Sequence, residues 1–236
     1  MIYIDAGEPV ETWKHIAKEG GYKHYQGRAE AGDVVIRWGA NHGQYVGTYP
    51  VDVRVLNAKL WLSKVDQARL FEEHDVAVPK VYWSTREWRG DGNPQLIIKP
   101  AMGQMGTGIR KIQQPTFRNT NAVYQLYMEK EREFRAMMIG KLMAFFMEKH
   151  APENGDFRWN EHRGAEWTTV GEDEALRKKI RTLGYKALSA IGYDFGAVDI
   201  ILKDTHLYVL EVNSRPEFGA RNAQRFIRAI AEFLAS

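Results

Sequence analysis

The chain has 236 residues, no cysteine and a formal net charge of +3. The lack of cysteine excludes disulfides, thiolate catalysis and cysteine-based zinc sites, and the small, dispersed positive charge argues against nucleic acid as a partner. We find neither a signal peptide nor an apolar run near the ~18 residues of a membrane span. The composition therefore predicts a cytoplasmic protein with no membrane partner and enough residues for a substantial core.

Residues 1–52 are predicted to form a short α/β region. Its expected elements are a strand at Met1–Ile4, a helix near Val10–Glu19 and a strand at Asp33–Trp38, followed by a loop at residues 39–50. The order of a strand, a helix and a second strand is typical of a small α/β unit.

The rest of the chain mixes helices with strands that we expect to be antiparallel. Ser63 suits the N-cap of a helix that runs to about His74, because Asp66 stands three residues later. Further strands are predicted at residues 80–84, 95–99, 122–128, 132–139 and 141–148, and further helices at 172–191 and 222–235. This mixture favours an α+β fold. We expect the sheet core, rather than a cofactor pocket, to contain Met137, Met138, Met143, Phe145, Phe146 and Met147.

A predicted hairpin near the carboxyl end carries polar oxygens on one face. Its strands cover residues 195–202 and 207–213. Because strand side chains alternate between faces, the apolar face is predicted to contain Val198, Ile200, Leu202, Tyr208, Leu210 and Val212. The opposite face carries Asp199, Glu211 and Asn213. If Lys203 lies opposite Leu207, Asp199 lies directly across from Glu211.

Two carboxylates that face each other on neighbouring strands repel. A divalent cation is the simplest group to neutralise Asp199 and Glu211, because carboxylate and amide oxygens are hard ligands of the kind that Mg²⁺ takes. An ordinary solvated hairpin face is the alternative. If the carboxylates only repel each other in the metal-free protein, Asp199→Asn should stabilise it.

A glycine-rich loop follows a predicted strand that ends at Lys99. The loop contains Gly103, Gly106 and Gly108, and glycines let backbone N–H groups approach phosphate oxygens while the lysine supplies a positive charge. No Gly-Lys-Ser/Thr sequence follows, which excludes a P-loop, and no helix clearly opens after Gly108, which argues against a Rossmann fingerprint. A flexible glycine-rich hairpin is the alternative.

Taken together, the lysine, the glycine loop and the acid/acid/amide surface resemble the ATP-grasp superfamily. Residues 55–218 more closely resemble the RimK-type carboxylate–amine ligases. The resemblance implies an ATP-grasp fold in which two α+β subdomains grip ATP, a small one at residues 53–124 and a carboxyl-terminal one at residues 125–236. The amino-terminal region at residues 1–52 is shorter than the leading domain that is usual in the family.

The resemblance also implies a set of nucleotide and metal contacts. The phosphate contacts would be Lys64, Lys99, Gly103, Gly106 and Gly108. The hinge that holds adenine would be Gln125, Leu126, Tyr127 and Met128, with Leu126 at a position where the family usually has an acid. Glu133 would contact the ribose, and Arg135 follows it as the family's basic residue. The metal ligands would be Asp199, Glu211 and Asn213.

The catalytic candidates come from two further blocks. Residues 155–160 are close to the family's Gly-Asp-Phe-Arg-Ser-Asn block, which places Arg158 and Asn160 at the phosphate and acyl end. Arg215 stands just after the metal block, where many relatives have a small residue, and it is a candidate for contact with the acyl phosphate or a substrate carboxylate. Solvation of the loop is the alternative role for Arg215.

The resemblance implies an ATP-dependent ligase that joins a carboxylate to an amine through an acyl phosphate and releases ADP and phosphate. Its cofactors would be ATP and Mg²⁺, as one or two ions, with Mn²⁺ as a substitute. Its partners would be a carboxylate substrate and an amine substrate, which could be an amino acid, a peptide or a protein terminus. A kinase that phosphorylates a small-molecule hydroxyl and a non-catalytic ATP-binding module stay open as alternatives.

Overall fold

The computed structural model describes residues 1–6, 11–39, 49–59, 62–103, 106–170 and 173–236. Most of the loop predicted at residues 39–50 and the predicted helix start at residue 172 lie outside these ranges. Within them, no helix is long and apolar enough to cross a membrane.

The amino-terminal residues form a parallel sheet, as expected for an α/β region. Its strands are β1 (Ile2–Asp5), β2 (Lys23–His24), β3 (Val34–Arg37) and β4 (Arg54–Leu56), in the order β2-β1-β3-β4. Helix α1 (Glu11–Gly20) connects β1 to β2. Because β4 pairs with β3, this sheet continues beyond the boundary predicted at residue 52. The three-part division of the chain stays a prediction.

The second sheet is antiparallel and carries the glycine-rich loop. Its strands are β5 (Val81–Tyr82), β6 (Leu96–Pro100), β7 (Arg110–Ile112) and β8 (Ala122–Leu126), in the order β5-β8-β6-β7. Helix α2 (Lys64–Glu73) precedes it, and helix α3 (Thr85–Gly90) follows β5. The Ser63 side chain accepts a hydrogen bond from the Asp66 amide, and Asp66 accepts one from the Ser63 amide. This capping box confirms the predicted helix start.

The third sheet has five antiparallel strands and holds the predicted metal surface. They are β9 (Arg132–Ile139), β10 (Leu142–His150), β11 (Glu166–Thr169), β12 (Phe195–Lys203) and β13 (His206–Asn213), in the order β11-β10-β9-β12-β13. A short 3₁₀ helix (Glu161–Arg163) precedes β11. Helix α4 (Glu174–Ile191) precedes β12, and helix α5 (Ala220–Ala235) ends the chain.

Each face of the third sheet has its own apolar core, because side chains alternate along every strand. On one face, Phe134, Ala136 and Met138 of β9 pack in the core that includes α4. On the other, Met137 and Ile139 pack in the core that includes α5 and the first sheet. The predicted core positions of Met138, Met143 and Phe146 are confirmed on the first face, and those of Met137 and Phe145 on the second.

Asn57 ties the end of β4 to the start of β12. Its amide nitrogen Nδ2 donates to the Phe195 carbonyl at 2.9 Å, and its Oδ1 accepts from the amides of Asp194 at 2.7 Å and Phe195 at 3.1 Å. The side chain is fully buried, and its backbone has φ of +56°. A buried asparagine therefore supplies three hydrogen bonds that no apolar residue could replace.

Replacement of Asn57 by alanine should destabilise the protein strongly. Asn57→Ala removes three buried hydrogen bonds and leaves backbone groups unpaired, so we expect a loss of about 3 kcal/mol in the free energy of unfolding. Asn93 is the matched control, because it is exposed and has a similar φ of +59°. Urea unfolding should show a loss of about 1 kcal/mol or less for Asn93→Ala. Equal losses in the two variants would mean that backbone conformation, rather than hydrogen bonding, sets the role of Asn57.

Candidate functional site

The carboxyl-terminal hairpin closes one residue tighter than the sequence predicts. Lys203 lies opposite His206 instead of Leu207, and the two residues of the turn, Asp204 and Thr205, have φ of +48° and +67°. Positive φ at both central positions matches the twist of a two-residue hairpin turn. A bulge between Asp199 and Ile200 then shifts the register by one.

The bulge restores the predicted carboxylate pair but changes the apolar face. Asp199 lies directly across from Glu211, as expected. The prediction that Tyr208 and Leu210 share the core face is wrong, because the shift turns Val209 into the core in their place. Leu210 instead lines a small cavity beside Glu211. Because of the bulge, Leu210 and Glu211 both lie on the face of the sheet that carries the acids.

Each carboxylate is already paired with a cation. Arg135 binds Asp199 with two hydrogen bonds, from Nε to Oδ1 at 2.7 Å and from Nη2 to Oδ2 at 2.9 Å. The Lys64 ammonium lies 2.9 Å from Oε2 of Glu211. Asn213 Nδ2 bridges the two acids, at 3.3 Å from Asp199 and 3.4 Å from Glu211. The expectation of uncompensated repulsion is wrong, since β9 and α2 supply the positive charges.

These charges hold both acids in their ionised form. Burial acts to raise the pKa of Asp199, but the charges of Arg135, Lys149 and Lys130 together outweigh it and lower that pKa below its usual range. For Glu211, burial and the nearby Asp199 act to raise the pKa, yet Lys64 and Lys99 lower it overall. Two ionised carboxylates with an amide between them are thus available as oxygen ligands.

The side chains at this surface match the ligands that a protein usually contributes to a Mg²⁺ site. The described residues contain no cluster of three or more His, Cys, Asp or Glu side chains placed to hold a metal ion. The candidates are therefore two carboxylates and the Asn213 amide, whose oxygen would face the acids after a half-turn of the amide group. Mg²⁺ is commonly bound through one or two carboxylates together with substrate phosphates. Asp199 and Glu211 match that pattern.

The Lys99 side chain is buried beside these acids. Only 7% of the residue is exposed, and burial lowers the pKa of its ammonium to about 8 despite the opposing effect of Glu211. Lys99 is thus still largely protonated at pH 7. A cavity of about 20 Å³ lies between α2, β6, β8 and β13, and its wall includes Lys64, Lys99 and Gln125. A cavity of that size, which we call the cleft, holds little more than one water molecule, and a nucleotide would fit there only if the cleft widened.

Two main-chain amides of the predicted hinge are paired, and two of its other polar atoms are not. The Leu126 amide donates to the Lys80 carbonyl at 2.7 Å, and the Tyr127 amide donates to Gln95 at 2.9 Å. Across the residues that the structure describes, the Met128 amide has no backbone acceptor. Likewise, Oε1 of Gln125 is buried without a hydrogen-bond partner there. One donor and one acceptor therefore remain for a ligand with both groups on one edge.

The glycine-rich loop lies against the predicted catalytic block. Gly103 and Gly106 have φ of +143° and +68°, which side chains rarely adopt, and the Gly103 carbonyl accepts a hydrogen bond from Lys64 at 3.1 Å. A Cβ atom on Gly106 would lie 3.7 Å from Asn160 Nδ2 and 3.8 Å from Arg158. The structure therefore brings the glycine-rich loop, Lys64 and the 155–160 block together.

A comparison with known proteins identifies the family. A family model described as a RimK-like ATP-grasp domain matches residues 94–235, which is more than half of the chain. The chain belongs to the RimK-like ATP-grasp family. A relative from Klebsiella pneumoniae (strain 342), named "Probable alpha-L-glutamate ligase", is 30% identical to this RimK-like chain, and the match covers 90% of the chain and 79% of the relative.

A second relative has a similar name, and a solved structure has a similar fold. A relative from Escherichia fergusonii, named "Ribosomal protein bS6--L-glutamate ligase", is 24% identical over 90% of this chain and 79% of its own length. The solved structure of the ATP-grasp ligase PsnB with a minimal precursor matches with a TM-score of 0.67 at 13% identity, and the match covers 98% of this chain and 99% of PsnB. The predicted α+β, ATP-grasp fold is confirmed.

In this RimK-like chain, the 155–160 block also covers the hinge. Arg158 binds Asp156 through Nε at 2.9 Å and Nη2 at 2.7 Å, which holds the pKa of the Asp156 carboxyl well below its usual range. The Phe157 ring packs edge-on against Tyr127, with 6.0 Å between centroids. Trp159 lies under the Lys130 ammonium, 4.5 Å from its ring centroid. These hydrogen bonds order the block internally, and the ring contacts hold it against Tyr127 and Lys130.

Two predicted site residues, Glu133 and Arg215, contact groups that the sequence analysis did not assign to them. Glu133 is only 3% exposed and binds the ammonium groups of Lys130 and Lys149, so a ribose would have to compete with two lysines. Arg215 packs against Gly39, and the Gly39 amide donates to the Ser214 carbonyl at 3.0 Å. The structure thus places Arg215 beside the amino-terminal sheet.

Sequence reasoning assigned no partner to three buried or half-buried cations. Arg135 lies opposite Asp199 in the β9–β12 pairing, and Lys149 lies opposite Glu133 in the β9–β10 pairing. Lys130 binds Glu133 from three residues earlier in the chain. Opposite charges at matching positions of predicted strands were the available signal, but it requires knowledge of which strands are neighbours.

Asp199→Asn should destabilise the nucleotide-free protein. The change leaves the Arg135 guanidinium without its carboxylate, so we expect a loss of about 2–3 kcal/mol in the free energy of unfolding. Denaturant unfolding in EDTA checks this, with Asp204→Asn on the same hairpin as an exposed control. Stabilisation of the Asp199→Asn variant would restore the view that the two acids repel each other.

Lys99→Met should stabilise the protein at neutral pH. With a pKa of about 8 in the folded state and 10.5 when unfolded, the buried charge costs its full free energy below pH 8. That cost disappears as pH rises from 8 to 10.5, because the unfolded state then binds more protons. We expect a gain of about 2–3 kcal/mol at pH 7 that shrinks by pH 10. Urea unfolding at both pH values measures it, with exposed Lys18→Met as control; a gain independent of pH would contradict the charge explanation.

Proposed function

We propose that this site joins a carboxylate to an amine at the expense of ATP, through an acyl phosphate. The chain is an ATP-dependent carboxylate–amine ligase of the RimK-like ATP-grasp family. The observation that carries the mechanism is the placement of two ionised acids, Asp199 and Glu211, beside Lys64 and Lys99. Acids and cations at this spacing are what a magnesium-bound triphosphate needs.

The hinge is proposed to hold the adenine ring. The unpaired Met128 amide would donate to a ring nitrogen, and the orphaned Oε1 of Gln125 would accept from the exocyclic amine. Leu126 and Tyr127 shape the hinge through main-chain pairing, so the missing acid at Leu126 leaves these contacts intact. Glu133 would reach the ribose only if it releases Lys130 or Lys149.

Nucleotide binding is proposed to exchange the partners of the acids. Lys64 would leave Glu211 and follow the phosphates, while the glycine loop that accepts its hydrogen bond closes over them. Asp199, Glu211 and Asn213 would hold Mg²⁺, which would supply positive charge to offset that of the phosphates. Arg135 would stay on Asp199 and keep its carboxylate oriented.

The first chemical step transfers the γ-phosphoryl group. A carboxylate oxygen of the substrate attacks the γ-phosphorus, the bond to the β-phosphate oxygen breaks, and ADP leaves. Lys99 and Arg158 are proposed to offset the negative charge of the transferring oxygens. Asn160, beside Gly106, would orient the acyl end, and Arg215 would hold a second carboxylate of the substrate.

The second step forms the amide bond. The amine nitrogen attacks the acyl carbon, the bond to the phosphate oxygen breaks, and the departing phosphate takes up the proton that the nitrogen loses. Water would destroy the acyl phosphate if it entered, so the site has to be closed during this step. The 155–160 block, held against the hinge residue Tyr127 by Phe157 and against Lys130 by Trp159, is proposed to provide that cover.

Hydroxylamine tests the proposed intermediate. The protein is incubated with Mg²⁺, ATP and hydroxylamine across a panel of amino acids and carboxyl-terminal peptides. One carboxylate should yield a hydroxamate together with ADP, because hydroxylamine traps an acyl phosphate. ADP with a stable phosphorylated product and no hydroxamate would instead indicate a kinase.

Glu211→Gln tests the metal assignment in the same assay. Loss of one carboxylate ligand should lower the rate of hydroxamate formation by at least about 100-fold. The fold should survive, since Glu211 is half-buried and glutamine keeps its shape. Glu232→Gln, an exposed acid on α5, is the control and should retain full activity. Unchanged activity in Glu211→Gln would refute the assignment of Glu211 as a metal ligand.

A further inference from the structure

A second cavity lies on the same face of the third sheet as the acids. Its volume is about 210 Å³, roughly ten times that of the cavity beside Lys99. Its floor includes Arg135 of β9 and Ala197 of β12, and Ala197 lies opposite Asn213 in the strand pairing. The cavity therefore begins next to the proposed metal ligands.

The walls of this cavity are mainly apolar. They contain Met137, Phe145, Met147, Trp167, Pro216 and Phe218. An apolar cavity of about 150 Å³ is enough to hold benzene, so 210 Å³ accommodates an aromatic or branched aliphatic group with a polar head. Met137, Phe145 and Met147 line this space in addition to packing in the core on that face of the sheet.

The unpaired charges on the cavity wall are negative. Glu161 and Glu217 are exposed acids on its lining, and within the described part of the chain neither forms an ion pair. The nearby cations are engaged, since Arg135 binds Asp199 and Lys149 binds Glu133. Both cations also lie over the Trp167 ring, at 4.9 Å and 4.7 Å from its centroid.

We propose that this cavity binds the amine substrate and selects an amine with a large apolar side group over glutamate. The inference rests on the proposed ligase function and adds its substrate class. The unpaired carboxylates of Glu161 and Glu217 attract an ammonium group before it loses its proton, and they repel an added side-chain carboxylate. Among the residues that the structure describes, the one cation on the cavity lining, Arg135, is already bound to Asp199, and the apolar walls give such a carboxylate no other partner. Relatives whose names include L-glutamate ligase would differ from this chain in that respect.

Binding of three probes tests the cavity without any turnover. In calorimetry at pH 7, 2-phenylethylamine should bind at least about tenfold more tightly than 3-phenylpropanoate, a difference of about 1.4 kcal/mol. L-Glutamate should show the weakest binding of the three. Tighter binding of 3-phenylpropanoate or L-glutamate than of 2-phenylethylamine would overturn the proposal.

Charge variants test whether the two acids on the cavity wall contribute to binding of the amine. The double variant Glu161→Gln/Glu217→Gln should weaken 2-phenylethylamine binding by about tenfold, because it removes both unpaired acids. Both residues are exposed, so the fold should be unaffected. Glu153→Gln is the matched control, an exposed acid on the same segment but outside the cavity wall. Equal binding by the double variant and the wild type would refute the role of these acids.

Competition with hydroxylamine distinguishes this inference from the proposed function. In the hydroxamate assay, 2-phenylethylamine should suppress hydroxamate and form its own amide, whereas L-glutamate should not. Suppression by L-glutamate alone would overturn the inference and leave the ligase mechanism intact. Absence of hydroxamate with every carboxylate would refute the proposed function, and with it the assignment of the cavity to an amine substrate.

Discussion

A row of charges across three neighbouring strands organises this molecule. Arg135 on β9, Asp199 on β12 and Glu211 on β13 lie side by side in the sheet, and Lys64 of α2 completes the row. Two adjacent acids on a largely buried surface are tolerable only because a cation binds each of them. The same row joins the third sheet to α2, which leads into the second sheet, and so fixes where the cleft lies.

The face of the sheet that carries this row changes character along its strands. At one end, Glu133 and Lys149 pair in a buried polar layer. Beyond the charge row, Met137 and Phe145 lead into the apolar core shared with α5 and the first sheet. Polar groups suited to phosphates therefore adjoin apolar walls suited to an organic side group. This order, from polar to apolar, places two kinds of substrate next to each other.

Much of this architecture could be predicted from the sequence, because alternation and capping are local signals. The strand at residues 132–139 and the capping box at Ser63 both follow from local patterns. The cations on the acids could not be predicted, since Arg135 meets Asp199 only through a strand order set by tertiary packing. Short strands such as β7 and β11 could not be predicted either, because they contain too few residues to show an alternation of apolar and polar side chains.

In the carboxyl-terminal hairpin, two departures from the predicted register cancel each other. The turn is one residue tighter than predicted, and a bulge shifts the pairing back by one residue. A tight turn at Asp204 and Thr205 would place Asp199 opposite Leu210, and the bulge moves the partner on to Glu211. The site then depends on one extra residue in β13. Neither the turn type nor the bulge is evident from apolar alternation, because a bulge breaks the period on which that signal rests.

The most direct test of this account is a calorimetric titration of Mg²⁺ into the protein with and without a non-hydrolysable ATP analogue. Because Arg135 and Lys64 already neutralise the acids, the account predicts no saturable Mg²⁺ binding at millimolar concentration without nucleotide, and clear binding with it. Tight Mg²⁺ binding to the nucleotide-free protein would contradict the account, since it would show that these cations do not occupy the acids.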